Sequence, residues 1–491
     1  MSIRKSILIT FAEKYATLAI SFVGIMFIAR LLTPKEIGIY SVASAVTGIA
    51  QMLRDFGVGN YLIQERELTR DRIRSALSIT FITSWTAGAL LYAIRPWAVS
   101  FYHEPGLNDL IAVQCLNFIM LPFSAPILAL LRRDMQFTVL FRINLMSCIT
   151  QFTISLSLAA SGYSYLSMAW ASVASLLCTM LLVTANRPKD AWLLPGFKEW
   201  RRIARFGVQS SISAIVTEIA MNMNDLILGR FLGFHAVALY SRAQGLIYLF
   251  HRDMMDAVRK VAFPAFAQAV REDRDLLKAY LQSVNYVTAF AWPFYAFLGL
   301  YAQSIVRLMF GDQWDEAVPL VKILVVAGAI GALWNLSTNA LLAMGQINKI
   351  LRSELIVQTT RAGLVFYAAS VSIEMTCYAL IAIYVLNLWV TLRYLNQTIG
   401  LTLGKLLLHN LNSLLITLMC MIIPVLFFHY LPKIFSPIQE LAINGSGLTV
   451  GWLIGVIITR HPLCQELDKI LSKTKLSHKP VSLRKRDDFN G

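Results

Sequence analysis

Charged and amide side chains share single helical faces inside segments that are otherwise apolar. Two triplets have members at positions i, i+4 and i+7: Glu218, Asn222 and Asp225, and Glu354, Gln358 and Arg361. Residues at these spacings lie on one side of an α-helix. A charge at the centre of a bilayer costs about 2.5–3.5 kcal/mol on the insertion scale, and such residues usually face a cavity or a partner. Carboxylates in this setting could carry protons, and an arginine could bind an anion.

Polar residues form stripes in three further apolar segments. They are Thr10, Glu13, Lys14, Thr17, Ser21 and Gly24; Arg142, Asn144, Ser147, Thr150, Gln151 and Ser155; and Trp334, Asn335, Ser337, Thr338 and Asn339. Serine and threonine commonly pack between membrane helices. The stripes could therefore be structural, or they could line a polar cavity.

The composition places these residues in a membrane protein with many spans. Of 491 residues, 57% are hydrophobic and 15% are charged, whereas soluble proteins average about 45–50% and about 25%. Apolar runs recur along the whole chain, which excludes a single anchor. The first run carries Glu13 and Lys14 and lacks a cleavage site, so we expect it to remain as a helix. The six cysteines lack metal-ligand spacing, and we expect no disulfide, metal or cofactor.

Each crossing of the hydrocarbon core requires about 20 helical residues. The apolar runs predict fourteen spans, of which the first, seventh and eighth have the lowest hydropathy because charges interrupt them. The predicted ranges are 7–32, 37–53, 75–94, 108–131, 137–160, 164–184, 205–229, 234–250, 279–304, 317–342, 351–371, 375–395, 407–430 and 440–459.

The distribution of basic residues predicts the orientation of the chain. With a cytoplasmic N-terminus, the outer loops contain little beyond Lys35, Arg95, Arg307 and Lys433. This asymmetry obeys the positive-inside rule and predicts that both termini are cytoplasmic. It also explains the net charge of +16 through orientation and attraction to anionic lipids. Nucleic-acid binding is not expected, because the basic residues are scattered and no aromatic residues cluster among them.

The longest predicted loops, 185–204 and 251–278, are cytoplasmic. In the second loop, apolar residues and charges alternate at helical spacing, which predicts an amphipathic helix at the membrane interface. We expect Pro264 to break this helix, because proline removes a backbone hydrogen bond.

Residues 29–43 and residues 229–243 are similar to each other. ARLLTPKEIGIYSVA and GRFLGFHAVALYSRA align without a gap and pair Tyr40 with Tyr240. Chance similarity between membrane helices is one interpretation, and internal duplication is the other. Six predicted spans separate the copies, so both would have the same orientation, as in transporters built from parallel repeats.

Duplication predicts two pseudo-symmetric lobes of six helices each. A weaker echo supports it, because the triplet ALL closes the fourth predicted span at 129–131 and the tenth at 340–342. We therefore predict an all-α polytopic membrane protein. Its parts would be a first lobe, a basic linker, a second lobe, two appended helices and a basic cytoplasmic tail: 1–184, 185–204, 205–396, 397–460 and 461–491.

Five stretches of the chain carry a resemblance to a known family. They are ARLLTPKEIGIYS (29–41), RDFGVGNYLIQ (54–64), MNMNDLILGRFLGFHAVALYSRAQGL (221–246), VAFPAFAQ (261–268) and FGDQWDEAVPLVKIL (310–324). They resemble the bacterial polysaccharide exporters and lipid-linked oligosaccharide flippases of the multidrug/oligosaccharidyl-lipid/polysaccharide exporter superfamily. The resemblance covers nearly the whole chain, and it implies a fold of two six-helix bundles around a central cavity.

The resemblance implies a flippase in the bacterial inner membrane. Its substrate would be an undecaprenyl-diphosphate-linked oligosaccharide, moved to the periplasmic leaflet for the synthesis of exopolysaccharide, O-antigen or capsule. A polysaccharide polymerase and chain-length machinery would be its partners, besides membrane lipids. Because sugars and a diphosphate cannot cross hydrocarbon unaided, we expect a polar and partly cationic cavity.

Ten charged residues are candidates for this work. The candidate substrate-binding residues are Arg361, Arg242, Arg142, Lys14, Arg30 and Arg230, and the candidate carboxylates for proton or ion coupling are Glu13, Glu218, Asp225 and Glu354. Arg361 is the strongest candidate for the diphosphate, because it lies deepest in its apolar segment. Arg30 and Arg230 could instead extend to the outer interface, where arginine is tolerated, and Arg142 could anchor a helix end.

Ion pairing is the alternative for several of these charges. Asp225 could form a static bridge with Arg230 or Arg242. Glu13 and Lys14 could neutralise one another.

Other classes of membrane protein have similar hydropathy. A polysaccharide polymerase or membrane glycosyltransferase would be an enzyme, but the predicted outer loops are too short for a catalytic domain. A drug/cation antiporter would share the superfamily fold and is the nearest alternative. A membrane scaffold would not explain the polar stripes. The sequence lacks the GxxxxGK[ST] loop of ATPases, so proton coupling and exchange driven by substrate gradients both stay open.

Overall fold

The computed structural model describes residues 3–55, 57–65, 67–188, 195–200, 203, 218–219, 221–430 and 436–464. Every regular element in these ranges is a helix, which confirms the predicted all-α class. The chain divides into two compact units. Unit 1 comprises Met1–Arg242, Met309–Ala317 and Leu364–Thr376, and unit 2 comprises Ala243–Leu308, Val318–Gly363 and Cys377–Gly491.

Unit 1 is a bundle of long helices with apolar surfaces. Its helices are α1 (Ile3–Leu31), α2 (Pro34–Asp55), α3 (Val58–Gln64), α4 (Arg70–Tyr102), α5 (Gly106–Met120), α6 (Ala125–Arg133), α7 (Phe137–Ala160), α8 (Leu166–Ala185), α9 (221–231) and the start of α10 (Gly233–Tyr248). Helix α7 packs along α1 and α8, and α4 packs along α2 and α5. These contacts bring the polar stripes of α1 and α7 together.

The turn between α1 and α2 is fixed by a reciprocal hydrogen-bonded cap. The Thr33 backbone N–H donates to the Glu36 carboxylate at 2.7 Å, and the Glu36 N–H donates to the Thr33 hydroxyl at 3.4 Å. Such a box satisfies two backbone donors that a helix start leaves free. Burial alone would raise the pKa of Glu36, but hydrogen bonds donated by Ser164 and Thr33 hold that pKa below its usual value.

Unit 2 contains the remaining helices. They are α11 (Met255–Arg271), α12 (Leu276–Leu300), α13 (Ala302–Phe310), α14 (Ala317–Trp334), α15 (Ser337–Ala343), α16 (Ile347–Ala369), α17 (Ile373–Ile399), α18 (Leu403–His409), α19 (Leu411–Tyr430) and α20 (Pro437–Ile458), with the ends of α13 and α16 and the start of α17 falling in unit 1. A π-helical turn, Leu249–Met254, joins α10 to α11.

The last two long helices, α19 and α20, are fastened to α12. Helix α19 packs along both α12 and α20. The Trp452 indole N–H donates to the Ala289 carbonyl at 2.8 Å. The buried Thr288 hydroxyl donates to the Asn410 side chain at 2.7 Å. The segment predicted as two appended helices is therefore packed into the body of unit 2.

Eight helices of the described residues are long and apolar enough to cross a membrane, or up to ten if each of two bent pairs is one span. The eight are Ala12–Leu31, Arg70–Tyr102, Gly106–Phe123, Phe137–Ala160, Leu166–Ala185, Ala317–Ala343, Ile373–Ile399 and Pro437–Ile458, and the bent pairs are Leu276–Leu300 with Ala302–Phe310 and Leu403–His409 with Leu411–Phe427. All ten coincide with predicted spans.

The remaining predicted spans are 37–53, 205–229, 234–250 and 351–371. Helices α2, α10 and α16 lie in three of these ranges. None of them is among the spans that length and composition identify in the described residues, and α10 has only 16 residues. Most of 205–229 lies outside the described residues. The predicted total of fourteen spans therefore stays a prediction.

One packing arrangement of two helices recurs in both units. In unit 1, α3 packs on α6, and in unit 2, α11 packs on α15. Helices α6 and α15 carry the two ALL triplets of the sequence, and each follows an interruption in a longer apolar run. The packing of the two ALL helices is therefore similar, and internal duplication stays a prediction.

The predicted break at Pro264 is wrong. Helix α11 runs without interruption from Met255 to Arg271 and contains Pro264. A proline inside a helix costs about 3 kcal/mol. Packing of α11 against α12 and α15 gives the helix tertiary support that local propensity does not include.

Candidate functional site

A cavity of about 350 Å³ lies within unit 1 among α1, α2, α7 and α8. Its polar lining residues are Ser21, Tyr40, Ser41, Gln151, Ser155 and Arg242. Ser21 comes from the polar stripe of α1, and Gln151 and Ser155 come from that of α7. The sequence prediction that these stripes line a polar space is met at these positions.

Arg242 contributes the positive charge of this cavity. Its guanidinium carbon lies 5.6 Å from the centroid of the Phe310 ring and 5.4 Å from that of the Trp314 ring, distances that allow cation–π attraction. The Arg242 Nε atom is buried and makes no hydrogen bond within the described residues. The aromatic rings hold the charge in place, but no carboxylate of the described chain neutralises it.

Trp314, one of the two rings near Arg242, is held by a hydrogen bond to the last turn of α1. The fully buried Trp314 indole N–H donates to the Ala29 carbonyl at 2.8 Å, and the Gln313 amide donates to the Leu32 carbonyl at 3.2 Å. Carbonyl groups in the last turn of a helix lack intrahelical donors. Gln313 and Trp314 supply these donors and thereby position Trp314 under the guanidinium.

Sequence reasoning did not assign this role to residues 310–314. The stretch drew attention only for its family resemblance. The side chains that matter are separated from Ala29 by more than half of the chain. The available signal was an amide and an aromatic residue, Gln313 and Trp314, two and three positions after Gly311.

The two copies of the sequence repeat pack against each other. A Cβ atom at Gly38 would overlap the backbone carbonyl oxygen of Phe234, and one at Gly229 would lie 2.8 Å from the Val42 side chain. Both glycines therefore permit a close approach that a larger residue would prevent. The helix also breaks at the same place in both copies, after Leu31 and after Phe231.

The paired tyrosines of the repeat have different surroundings. Tyr40 lines the cavity, whereas Tyr240 is buried and its hydroxyl accepts a hydrogen bond from the Asn224 amide. The two copies thus share a backbone pattern but differ in their polar contacts.

Glu218 and Asp225 form no ion pair with any residue that the structure describes. Glu218 accepts a hydrogen bond from the Asn222 amide at 2.8 Å, and Gly48 leaves room for it, since a Cβ there would lie 2.7 Å from the carboxylate oxygen. Asp225 is half-buried and forms no ion pair within the described residues. The suggested bridge from Asp225 to Arg230 or Arg242 is therefore not formed.

Arg230 has a different contact. It is exposed, and its guanidinium carbon lies 5.2 Å from the centroid of the Phe101 ring. Arg30 is also exposed, at the last turn of α1. Exposure of both side chains fits either an interfacial or a substrate-binding role.

The charges of the N-terminal helix do not neutralise each other. Glu13 accepts a hydrogen bond from the Asn144 amide at 2.5 Å, which joins α1 to α7. Lys14 is exposed, as is Arg142 near the start of α7. The alternative of a Glu13–Lys14 pair is therefore wrong, because Glu13 turns towards an amide of the neighbouring helix.

In unit 2, the second predicted triplet lies along one face of α16. The Gln358 amide donates to the exposed Glu354 carboxylate at 3.2 Å. Arg361 is half-buried, and its Nε makes no hydrogen bond within the described residues. Arg361 also lies within electrostatic range of Tyr384 on α17.

Arg259 forms polar contacts that were not predicted from the sequence. From α11 its guanidinium donates to the Asn335 side chain at 3.1 Å and lies 3.3 Å from the Asp256 carboxylate. Asn335 belongs to the predicted polar cluster at 334–339, which therefore binds an arginine of its own unit. This contact favours a structural role for that cluster.

Comparison with known proteins identifies the family. A family model described as "Polysaccharide biosynthesis protein" matches residues 27–319. The teichuronic acid biosynthesis protein TuaB of Bacillus subtilis is 23% identical over 67% of this chain and 68% of its own length. The lipopolysaccharide biosynthesis protein WzxC of Escherichia coli is 21% identical over 90% of this chain and 85% of its own length.

Among solved structures, the inward closed conformation of the lipid II flippase MurJ has the same fold. The TM-score is 0.70 at 12% sequence identity, and the match covers 92% of this chain and 99% of that chain. The helical fold and the apolar spans thus define a multi-pass membrane protein with a MurJ-like architecture. The chain belongs to the family of polysaccharide biosynthesis proteins.

Proposed function

We propose that this protein is a flippase that carries an undecaprenyl-diphosphate-linked oligosaccharide from the cytoplasmic to the periplasmic leaflet by alternating access. The observation that carries the proposal is a half-buried arginine in each unit, Arg242 and Arg361, whose Nε atoms make no hydrogen bond within the described residues. Family membership supports transport for polysaccharide synthesis. In this proposal the protein is a transporter and not an enzyme.

The energetic problem of flipping explains why such arginines are useful. The lipid tail can stay in hydrocarbon, but the sugars and the diphosphate lose hydration when they cross. Hydrogen bonds between a guanidinium and a phosphate are charge-assisted and replace part of that hydration. Arg361 is the proposed diphosphate ligand, and Lys14, Arg142, Arg30 and Arg230 are further candidates.

Carboxylates are the proposed coupling groups. Asp225 lacks an ion-pair partner within the described residues, and Glu218, Glu13 and Glu354 each accept a hydrogen bond from an amide. Carboxylates without a cation can take up a proton at modest cost. Proton coupling through Asp225 and Glu218 is part of the proposal.

The proposed membrane topology has fourteen spans in two six-helix lobes with two further helices, in the bacterial inner membrane. A reporter inserted at Gly311 should be periplasmic, and one at Arg271 should be cytoplasmic, because basic loops stay inside. Labelling of single cysteines at both sites with an impermeant reagent measures this. The reverse labelling at either site would contradict the topology.

Deletion of the gene tests the function directly. Without the flippase, a lipid-linked oligosaccharide should accumulate on the cytoplasmic leaflet, and surface polysaccharide should fall, because the polymerase and chain-length machinery would lack substrate. Mass spectrometry of extracted lipids identifies the accumulating species and its glycan. Unchanged lipid-linked sugars together with altered drug sensitivity would favour the alternative of a drug/cation antiporter.

A further inference from the structure

The unit 1 cavity has the charge of an anion-binding site. Arg242 is its charged member, and no carboxylate occurs among the described residues that line it. Its guanidinium carbon lies 5.6 Å from the centroid of the Phe310 ring and 5.4 Å from that of the Trp314 ring. A guanidinium can bind a planar carboxylate through its edge with two parallel hydrogen bonds.

The remaining polar lining suits a sugar. Ser21, Ser41 and Ser155 carry hydroxyls, Gln151 carries an amide, and Tyr40 carries a phenol. These groups both donate and accept hydrogen bonds, as sugar hydroxyls also do. Phosphate oxygens, in contrast, accept only and are best matched by several cations.

The volume limits how much of a substrate can enter. Sites for small molecules commonly measure about 300–1,000 Å³, and this cavity of about 350 Å³ lies at the lower end. It can accept a sugar unit but not a whole lipid-linked oligosaccharide. A single cation with hydroxyl and amide neighbours therefore favours one acidic sugar over the diphosphate.

We propose that the unit 1 cavity is a subsite for one acidic sugar residue, whose carboxylate binds Arg242 while Gln151 and Ser155 bind its hydroxyls. This inference rests on the proposed function, because it assigns part of the same substrate. It separates two anionic groups of that substrate, with the sugar carboxylate at Arg242 and the diphosphate at Arg361.

Binding of small probes to the purified full-length protein in nanodiscs tests the subsite. Methyl glucuronide should bind about tenfold or more tightly than methyl glucoside. The glucuronide carboxylate can form charge-assisted hydrogen bonds with Arg242, whereas the glucoside has no carboxylate. Arg242→Gln should remove this preference, and Arg242→Lys should keep part of it. Ligand-observed NMR measures these weak affinities, with inorganic diphosphate as the competitor.

Matched variants separate local binding from folding. Arg95 stacks on Tyr92, with 3.4 Å from its guanidinium carbon to the ring centroid, and lies outside the cavity lining, so Arg95→Gln should leave the glucuronide preference unchanged. Gln151→Leu should weaken the binding of both glycosides while preserving the ratio of their affinities. If Arg242→Gln does not fold, the ratio of glucuronide to glucoside affinity in Arg242→Lys decides whether Arg242 binds the carboxylate.

Three results would overturn the subsite. Equal affinity for the two glycosides would do so, as would an unchanged preference in both Arg242 variants. Displacement of the glucuronide by inorganic diphosphate at lower concentration would assign the cavity to the diphosphate. Accumulation of lipid-linked oligosaccharide in the deletion strain, combined with any of these results, would leave the proposed flippase in place and remove only the subsite.

Discussion

Replacing Arg361 by alanine is expected to abolish glycan export while the abundance of the protein stays near normal. The guanidinium makes no hydrogen bond within the described residues, so its removal leaves no buried acceptor without a donor. The substrate, in contrast, would lose charge-assisted hydrogen bonds of about 1.5–3 kcal/mol each. Complementation of the deletion strain, with quantification of surface polysaccharide and immunoblots, measures both effects.

Conservative and matched variants sharpen this test. Arg361→Lys should restore export in part, because a point charge is kept while the planar fork is lost. Arg352 lies nine residues earlier in α16 and is exposed, on the opposite face of the helix, so Arg352→Ala should export normally. Arg30→Ala should be milder than Arg361→Ala if Arg30 only extends to the interface.

Two outcomes would count against the role of Arg361. Full export by Arg361→Ala would remove the residue from the mechanism. Loss of the protein itself from the membrane would assign Arg361 to folding instead.

The polar faces could be predicted from sequence because helical spacing is local. Asn222 does reach Glu218 across one turn, and Gln358 reaches Glu354 in the same way. The partners of charges could not be predicted in this manner. Glu13 binds Asn144 on another helix, since tertiary packing and not sequence adjacency decides which polar group lies nearest.

The contacts around Arg242 could not be predicted from the sequence for the same reason. The Trp314 indole donates a hydrogen bond to the Ala29 carbonyl, although the two residues are far apart in the sequence. Hydropathy also leaves part of the membrane topology as a prediction. The polar residues of α2 and α16 lower the mean hydropathy of these helices, so the features that indicate function weaken the signal of a span.

Gly38→Ala is expected to lower the thermal stability of the protein and to prevent export. A Cβ at this position would overlap the carbonyl oxygen of Phe234 and lie 2.5 Å from its carbonyl carbon. The obstacle is backbone, so α2 and the start of α10 would have to separate, and overpacking of this kind typically costs about 1–3 kcal/mol. Helix propensity alone favours alanine by about 1 kcal/mol, so a loss of stability can come only from the clash.

Gly59→Ala is the matched control for this prediction. Gly59 is also a helical glycine of unit 1, in α3, and a Cβ there would meet nothing within 4 Å. Its replacement should leave the melting temperature unchanged or raise it slightly. Thermal unfolding of the purified variants and export in the complemented strain give the two readouts. Equal melting temperatures for Gly38→Ala and Gly59→Ala would show that the two copies of the repeat do not require this close approach, because the clash is the only term that distinguishes the two glycines.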